Sequence, residues 1–165
     1  MALLEERLKR ERLDYNVVNA SVSGETSAGG RARIDDTLAR HKPAVVVVEL
    51  GGNDGLRGLP VAQMKSNLGA IIERSAKSGA RVLLIGVRMP PNYGPDYTAA
   101  FGSAFAELAK RYGVTLVPNM LEGFGERRDM FQPDGIHPTT EAQPEILERV
   151  WPALRPLLSE TVKKR

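Results

Sequence analysis

Four consecutive valines at positions 45–48, followed by Glu49 and Leu50, lead directly into Gly51-Gly52-Asn53-Asp54. Such an unbroken run is typical of a strand that is buried on both faces of a parallel sheet. The glycines allow a sharp turn where the strand ends, and open α/β sheets bind ligands at the carboxyl ends of their strands. We therefore expect the amide of Asn53 to lie at a functional site, although Asn-Asp after two glycines is also ordinary turn chemistry.

The rest of the chain alternates between short apolar runs and amphipathic segments. Strands that alternate with helices indicate an α/β fold with a parallel sheet, and 165 residues are typical of one domain, residues 1–165. Pro144, Pro152 and Pro156 leave open whether the last helix is continuous. We predict strands at residues 16–20, 45–50, 81–87 and 114–117, and helices at residues 3–13, 60–78, 97–112 and 141–158, with another that ends near His41.

Composition and charge argue against several classes of function. The net charge of +3 is small and comes partly from Lys163-Lys164-Arg165, so no nucleic-acid partner is expected. No apolar run approaches the length of a membrane span, and the first residues show no signal-peptide pattern. The chain has no cysteine and only two histidines, so we expect neither disulfides nor a metal site. No glycine-rich nucleotide-binding motif is present.

One of the two histidines lies in a motif that suits acid–base chemistry. In Asp134-Gly135-Ile136-His137-Pro138, the Asp is three residues before the His on a short loop that contains glycine. Its carboxylate can accept the Nδ1 proton of the ring, which leaves Nε2 free to act as a general base. The alternative is a capping Asp beside an exposed His.

A third element follows the predicted strand at residues 16–20. Gly24 lies in a segment rich in Ser, Gly and Thr, where its backbone N–H could point into the same crevice as Asn53. The alternative is a loop glycine before a helix that is capped by Ser23 or Thr26. Three such elements at three strand ends, in this order, favour a functional interpretation.

Together these motifs make the chain similar to the SGNH (GDSL-type) hydrolases, and within them to the bacterial thioesterase I/lysophospholipase/arylesterase group. The similarity covers nearly the whole chain. It rests on residues 17–27, residues 48–58, Pro91-Asn92-Tyr93-Gly94 and Asp134-Gly135-Ile136-His137-Pro138. The resemblance implies a three-layer αβα, flavodoxin-like fold with a parallel sheet.

The resemblance also implies roles for individual residues. It makes His137 the base and Asp134 the residue that orients it, and it assigns the Gly24 N–H and the Asn53 amide to an oxyanion hole. It implies a serine hydrolase that cleaves small or acyl-chain esters and thioesters without a metal or organic cofactor, and a periplasmic or secreted location. The residues that it assigns to a substrate-side loop are Met89, Pro90, Pro91, Asn92 and Tyr93.

The sequence departs from the family at its first block. The nucleophilic serine of the family lies in a Gly-Asp-Ser-Leu segment after the first strand, and the 165 residues contain no such segment. We expect that internal strand, which separates residues 16–20 from residues 45–50 in the family's 2-1-3-4-5 sheet, to be absent too. Unpaired backbone groups cost about 1–3 kcal/mol each when buried. Three arrangements are open: the chain is an incomplete form of a normal enzyme, the two flanking strands pair directly, or another chain covers the gap in an oligomer.

The missing block leaves the nucleophile and the function open. Ser21, Ser23 and Ser27 are the serines near Gly24 and the only candidates for a relocated nucleophile. If none of them serves, the alternative function is an inactive, ester-binding pseudoenzyme domain. An acetyl-carbohydrate esterase of the same superfamily is a weaker third interpretation, because the matches at residues 55–58 and 91–94 argue against it.

Overall fold

The computed structural model describes residues 1–124 and 127–162, with only the backbone at residue 91 and residues 159–162. The basic residues Lys163, Lys164 and Arg165 lie outside the described residues. Contacts divide the chain into two compact units, which we describe separately: Ala20–Asn119, and Met1–Asn19 together with Met120–Arg165.

The unit Ala20–Asn119 contains the sheet. In the described residues its strands are β1 (Val45–Val48), β2 (Arg81–Ile85) and β3 (Thr115–Val117), parallel and in the order β1-β2-β3. β2 lies in the centre and is almost wholly buried, as expected for an apolar strand with helices packed on a parallel sheet. The predicted α/β class with a parallel sheet is confirmed.

The helices follow the predicted positions closely, with one addition. The short helix α3 was not predicted, because two glycines in five residues give no helical periodicity. α6 is a single helix although Pro152 and Pro156 lie inside it. The helices are α1 (Ala2–Arg10), α2 (Ser27–His41), α3 (Gly52–Leu56), α4 (Val61–Lys77), α5 (Pro95–Tyr112) and α6 (Gln143–Val162), with 3-10 helices at Pro91–Tyr93 and Arg128–Met130.

One core holds the sheet unit together. Side chains from α2, α4 and α5 pack with those of β1 and β2 in a single apolar cluster. Phe101 and Phe105 of α5 make an edge-to-face contact at 5.6 Å between ring centroids, a favourable aromatic geometry. The least exposed members include Met64, Leu68, Ile72, Leu84 and Phe101. This rigid core lies beneath the turn that follows β1.

One predicted strand is wrong. Residues 16–20 have no regular secondary structure, and Val18 is 51% exposed. A strand requires a neighbour that pairs with its backbone N–H and C=O groups. Within the described part of the chain, no segment pairs with the edge of β1 remote from β2, and Val47 of β1 is 44% exposed. Direct pairing of residues 16–20 with β1 is therefore not the arrangement that the chain adopts.

In the second unit, helix α1 packs against helix α6. Arg7 of α1 lies over the ring of Trp151 at 5.0 Å and forms ion pairs with Glu11 and Glu148. The Tyr15 hydroxyl donates a hydrogen bond to the Leu158 carbonyl at 2.6 Å. These contacts fix α6, whose first residues support the loop that carries the histidine motif.

Candidate active site

The turn after β1 depends on Gly51. Its φ of +106° belongs to the left-handed region that favours glycine. A Cβ placed there would lie 2.9 Å from the sulfur of Met64 and 3.2 Å from the ring of Phe105, both in the core. The chain can therefore turn into α3 at this point only with glycine, and this turn places Asn53 and Asp54 directly beyond the end of the strand.

Asn53 is held by the segment that precedes α2. Its Nδ2 donates to the carbonyl oxygen of Glu25 at 3.1 Å. Glu25 is itself fixed by a two-pronged ion pair with Arg33, and the hydrogen bonds that the guanidinium donates to this carboxylate raise the pKa of Arg33. A side-chain amide carries two N–H protons, so one proton orients Asn53 and the other is left to donate elsewhere.

Gly24 belongs to the same hydrogen-bonded cluster. Its φ of +73° again requires the left-handed region, and its carbonyl oxygen accepts a hydrogen bond from Nη2 of Arg57 at 2.8 Å. The two residues predicted to form the oxyanion hole are thus brought together, because Gly24 and its neighbour Glu25 are both bonded to side chains of α3 or its C-terminal cap. Of the two candidate caps of α2, Ser23 and Thr26, the structure uses Thr26, whose hydroxyl accepts from the Gly29 N–H.

A buried polar network lies beneath this cluster. The carboxylate of Asp54 accepts from the backbone N–H of Ser27 at 2.7 Å and from its hydroxyl at 2.5 Å. The Ser27 oxygen in turn accepts from Asn67, whose Oδ1 accepts from Arg31. Ser27 is fully buried and Asp54 is 3% exposed.

This network bears on the search for a nucleophile. A buried hydroxyl that already donates to a carboxylate cannot reach a substrate, so the geometry argues against Ser27. Ser21 and Ser23 are exposed and stay candidates.

The predicted substrate loop follows β2 and packs against α3. Met89 is buried, and a Cβ on Gly55 would lie 2.2 Å from its sulfur. The Tyr93 hydroxyl donates to the Leu56 carbonyl at 3.0 Å, and its ring stacks on Tyr97. Pro90 and Asn92 are exposed, and Pro91 begins the 3-10 helix. The loop is therefore anchored at Met89 and Tyr93 beside the turn that carries Asn53.

The histidine motif forms a closed loop in the other unit. Gly135, at φ +67°, donates to the Gln132 carbonyl, and the Gln132 N–H donates to the His137 carbonyl at 2.7 Å. A bridge between Phe131 and Pro138 closes the loop. Phe131 packs against a small apolar cluster that contains Phe124, Met130 and Ala142. This support fixes the backbone on both sides of the histidine.

Within the loop, the Asp134 carboxylate contacts His137 in two ways. Oδ2 lies 2.7 Å from Nδ1 of the ring, and Oδ1 accepts from the backbone N–H groups of Ile136 and His137. The bond to the ring is the largest cause, ahead of the backbone N–H bonds, of a fall in the pKa of Asp134 from 3.8 to about 2. An ionised carboxylate can only accept, so Nδ1 carries a proton, and in the neutral ring Nε2 is then the accepting nitrogen.

The four predicted catalytic and oxyanion residues thus form two separate local clusters. Gly24 and Asn53 are joined in the sheet unit, and Asp134 and His137 in the other unit. The other histidine, His41, is exposed at the end of α2. No role was assigned to Asp54 or Arg57 from the sequence alone. Arg57 lies one helical turn after Asn53, and this spacing is the one sequence signal that the two side chains share a face.

No group of three or more His, Asp or Glu side chains among the described residues is placed to hold a metal ion. Within residues 1–124 and 127–162, no helix is both long enough and apolar enough to cross a membrane.

Comparison with known proteins places these features in a family. Residues 1–143 match the model of the GDSL-like Lipase/Acylhydrolase family. The chain is 54% identical over 158 residues to Esterase TesA of Pseudomonas aeruginosa, covering 96% of this chain and 79% of that protein. It is 42% identical over 144 residues to Thioesterase 1/protease 1/lysophospholipase L1 of Escherichia coli K12, covering 87% of this chain and 69% of that protein.

Solved structures agree with the sequence relatives. A crystal structure of TesA superposes with a TM-score of 0.91 at 54% identity, over 94% of this chain and 87% of that chain. The esterase EstA from Pseudoalteromonas sp., solved with monoethylphosphonate as inhibitor, superposes with a TM-score of 0.89 at 36% identity, over 95% of this chain and 86% of that one. The predicted flavodoxin-like fold class is thereby confirmed, and the chain belongs to the GDSL-like lipase/acylhydrolase family.

Proposed function

We propose that this protein is a serine ester hydrolase that acts on small or acyl-chain esters and thioesters. The observation that carries the proposal is the contact of 2.7 Å between Asp134 Oδ2 and His137 Nδ1. It leaves Nε2 as a base, with the ring side chain 68% exposed. Relatives whose names are esterase and thioesterase support the same class of reaction.

The proposed mechanism gives each residue one task. His137 Nε2 takes the proton of the attacking serine hydroxyl as its oxygen bonds to the carbonyl carbon, and later gives that proton to the leaving alkoxide or thiolate. The Asp134 carboxylate stabilises the imidazolium. The Gly24 N–H and the second N–H of Asn53 donate to the carbonyl oxygen while it carries negative charge. Water then releases the acyl group by the same steps.

No residue of the chain is assigned as the nucleophile. The family resemblance gives that role to a serine in Gly-Asp-Ser-Leu, a segment that the 165 residues do not contain. The experiments below therefore use the chain as printed and also the same chain extended upstream by the family's first strand, its Gly-Asp-Ser-Leu segment and the start of the helix that follows, which we call the extended chain.

A pair of histidine variants tests the proposal. In the extended chain, His137→Ala should lower kcat for a p-nitrophenyl ester by at least about 100-fold, because general acid–base catalysis typically contributes that much or more. His41→Ala, which removes the exposed histidine of α2, is the matched control and should leave kcat unchanged. Equal rates for wild type and His137→Ala would rule out this mechanism.

One alternative function is an inactive domain that binds esters without turnover. It predicts saturable binding of an ester by the chain and no hydrolysis at high protein concentration. Covalent labelling of the chain by an alkyl phosphonate, detected by mass spectrometry, would exclude it, because labelling requires an activated nucleophile.

Two other expectations stay proposals. By resemblance we propose that the protein is periplasmic or secreted. We also propose that a second copy of the chain covers the outer edge of β1, where Val47 is 44% exposed, since an open strand edge is a template for pairing. Analytical ultracentrifugation tests the second proposal: a dimer supports it and a monomer at all concentrations contradicts it.

A further inference from the structure

Helix α3 and its C-terminal cap Arg57 hold the segment Gly24–Ser27 at three points. The Asn53 side chain donates to the Glu25 carbonyl, the Asp54 carboxylate accepts two bonds from Ser27, and the Arg57 guanidinium donates to the Gly24 carbonyl. All three side chains come from five consecutive residues. The two segments are therefore held to each other, although the bonded residues are 27 to 33 positions apart along the chain.

Two of these three points have no part in the proposed reaction. The Asp54 carboxylate is buried and fully engaged by Ser27, at the N-terminus of α2, where a negative charge is favourable. Arg57 donates to the carbonyl oxygen of Gly24. That carbonyl belongs to the same residue as the N–H that is assigned to the oxyanion hole, but to the following peptide group. Their contacts determine where Gly24 lies relative to Asn53.

This arrangement matters because oxyanion donors act only when they are already in place. Their benefit comes from N–H groups that need no reorganisation when charge develops, and an error of about 1 Å in placement can cost roughly 100-fold in rate. Gly24 lies in an exposed loop at φ +73°. The peptide that follows it is held by two bonds: the Glu25 N–H donates to the Val22 carbonyl at 3.3 Å within the loop, and Arg57 supplies the side-chain bond to the Gly24 carbonyl that ties the loop to α3.

We propose that Asp54 and Arg57 are positioning residues, which hold the Gly24 N–H at a fixed place relative to the Asn53 amide. This proposal rests on the proposed function, because that function assigns the Gly24 N–H and the Asn53 amide to the oxyanion hole. It predicts that loss of either side chain lowers kcat and leaves KM within about twofold, because donors that act on the transition state contribute little to substrate binding.

Arg57→Met in the extended chain is the main test, because Arg57 is exposed and its removal should not unfold the protein. We expect kcat for a p-nitrophenyl ester to fall about 10- to 100-fold. Arg57→Lys, which can still donate to the Gly24 carbonyl, should recover part of the loss. Asp54→Asn, which keeps the shape but not the charge, should also lower kcat.

Arg74→Met is the matched control. Arg74 also donates to a backbone carbonyl, that of Arg31, and pairs with Asp35 in the same unit. It lies on α4 and has no contact with the segment Gly24–Ser27 among those described, so kcat and KM should not change. A rise in KM at constant kcat in Arg57→Met would indicate a substrate contact and would overturn the proposal.

A structural readout completes the design. In the 165-residue chain, Arg57→Met should shift the ¹⁵N–¹H resonances of Gly24 and Glu25, and Arg74→Met should not. If Asn53→Ala leaves kcat unchanged, the proposed function itself fails. If Asn53→Ala lowers kcat while Arg57→Met changes neither kcat nor the Gly24 resonance, only the positioning proposal fails.

Discussion

The Nδ2 amide of Asn53 donates to the Glu25 carbonyl oxygen at 3.1 Å, across 28 positions of sequence. The bond uses one proton of the amide and directs the other away from Glu25. Gly24, the neighbour of Glu25, is the second residue that the family resemblance assigns to the oxyanion. This hydrogen bond therefore helps to join α3, which follows β1, to the loop before α2.

Removal of this amide should affect the chemical step. Asn53→Ala in the extended chain should lower kcat by about 10²–10³-fold, the usual effect of losing one oxyanion donor, with little change in KM. Asn16→Ala, which removes an exposed amide from an irregular segment, is the matched control. Steady-state kinetics of p-nitrophenyl ester hydrolysis measures both, and an unchanged kcat in Asn53→Ala would contradict the assignment.

The Asp134 carboxyl should titrate at unusually low pH. Its pKa of about 2 lies below the ordinary 3.8, so the stabilisation of the loop is complete above pH 3.8 and is lost as the pH falls through about 2. NMR titration of the carboxyl carbon measures this directly. His137→Ala removes the largest cause and should raise the midpoint toward the ordinary value; a midpoint that does not move would show that the ring bond is not the cause.

Ser27 should matter for stability and not as a nucleophile. Ser27→Ala removes one of the two hydrogen bonds that the buried Asp54 carboxylate accepts from this residue, and bonds to charged groups contribute about 1.5–3 kcal/mol. Urea denaturation should show a loss of that size. Ser103→Ala, at an exposed hydroxyl on α5, should change the free energy of unfolding by less than about 0.5 kcal/mol. Hydrolysis abolished by Ser27→Ala in a folded protein would contradict this interpretation.

The hydrogen bond that anchors the substrate loop can be tested by removing the hydroxyl group of Tyr93. Tyr93→Phe removes the bond to the Leu56 carbonyl and should cost about 0.5–1.5 kcal/mol of stability. The looser loop should change the ratio of kcat/KM for long and short acyl esters. Tyr15→Phe removes the same kind of bond, to Leu158, far along the chain, and should lower stability without changing that ratio. Identical ratios in both variants would argue that the loop does not select the acyl chain.

The sequence predicts the elements whose pattern is local. The apolar runs of β1, β2 and β3 and the periodic helices α4 and α5 were placed correctly, because each carries its own burial pattern. The strand predicted at residues 16–20 was wrong, because a strand depends on a partner that its own residues do not reveal. α3 was missed for a related reason, since the helix is fixed by its side-chain contacts with the loop before α2 and not by its own propensity.

The candidate site shows the same division. Asp134 and His137 are three residues apart, so their contact could be predicted from the motif alone. The contact of Asp54 with Ser27 and that of Arg57 with Gly24 join segments about 30 residues apart, and no periodicity or spacing indicates them. Long-range polar contacts of this kind become visible only when the turn after β1 is known.

The measurement that tests the central claim most directly is the hydrolysis of a p-nitrophenyl ester by the 165-residue chain beside the extended chain. The account predicts hydrolysis by the extended chain and none by the shorter one, with the activity lost on His137→Ala. Hydrolysis by the 165-residue chain that is abolished by replacing Ser21 or Ser23 would contradict it, because the nucleophile would then lie in the loop that the account assigns to the oxyanion.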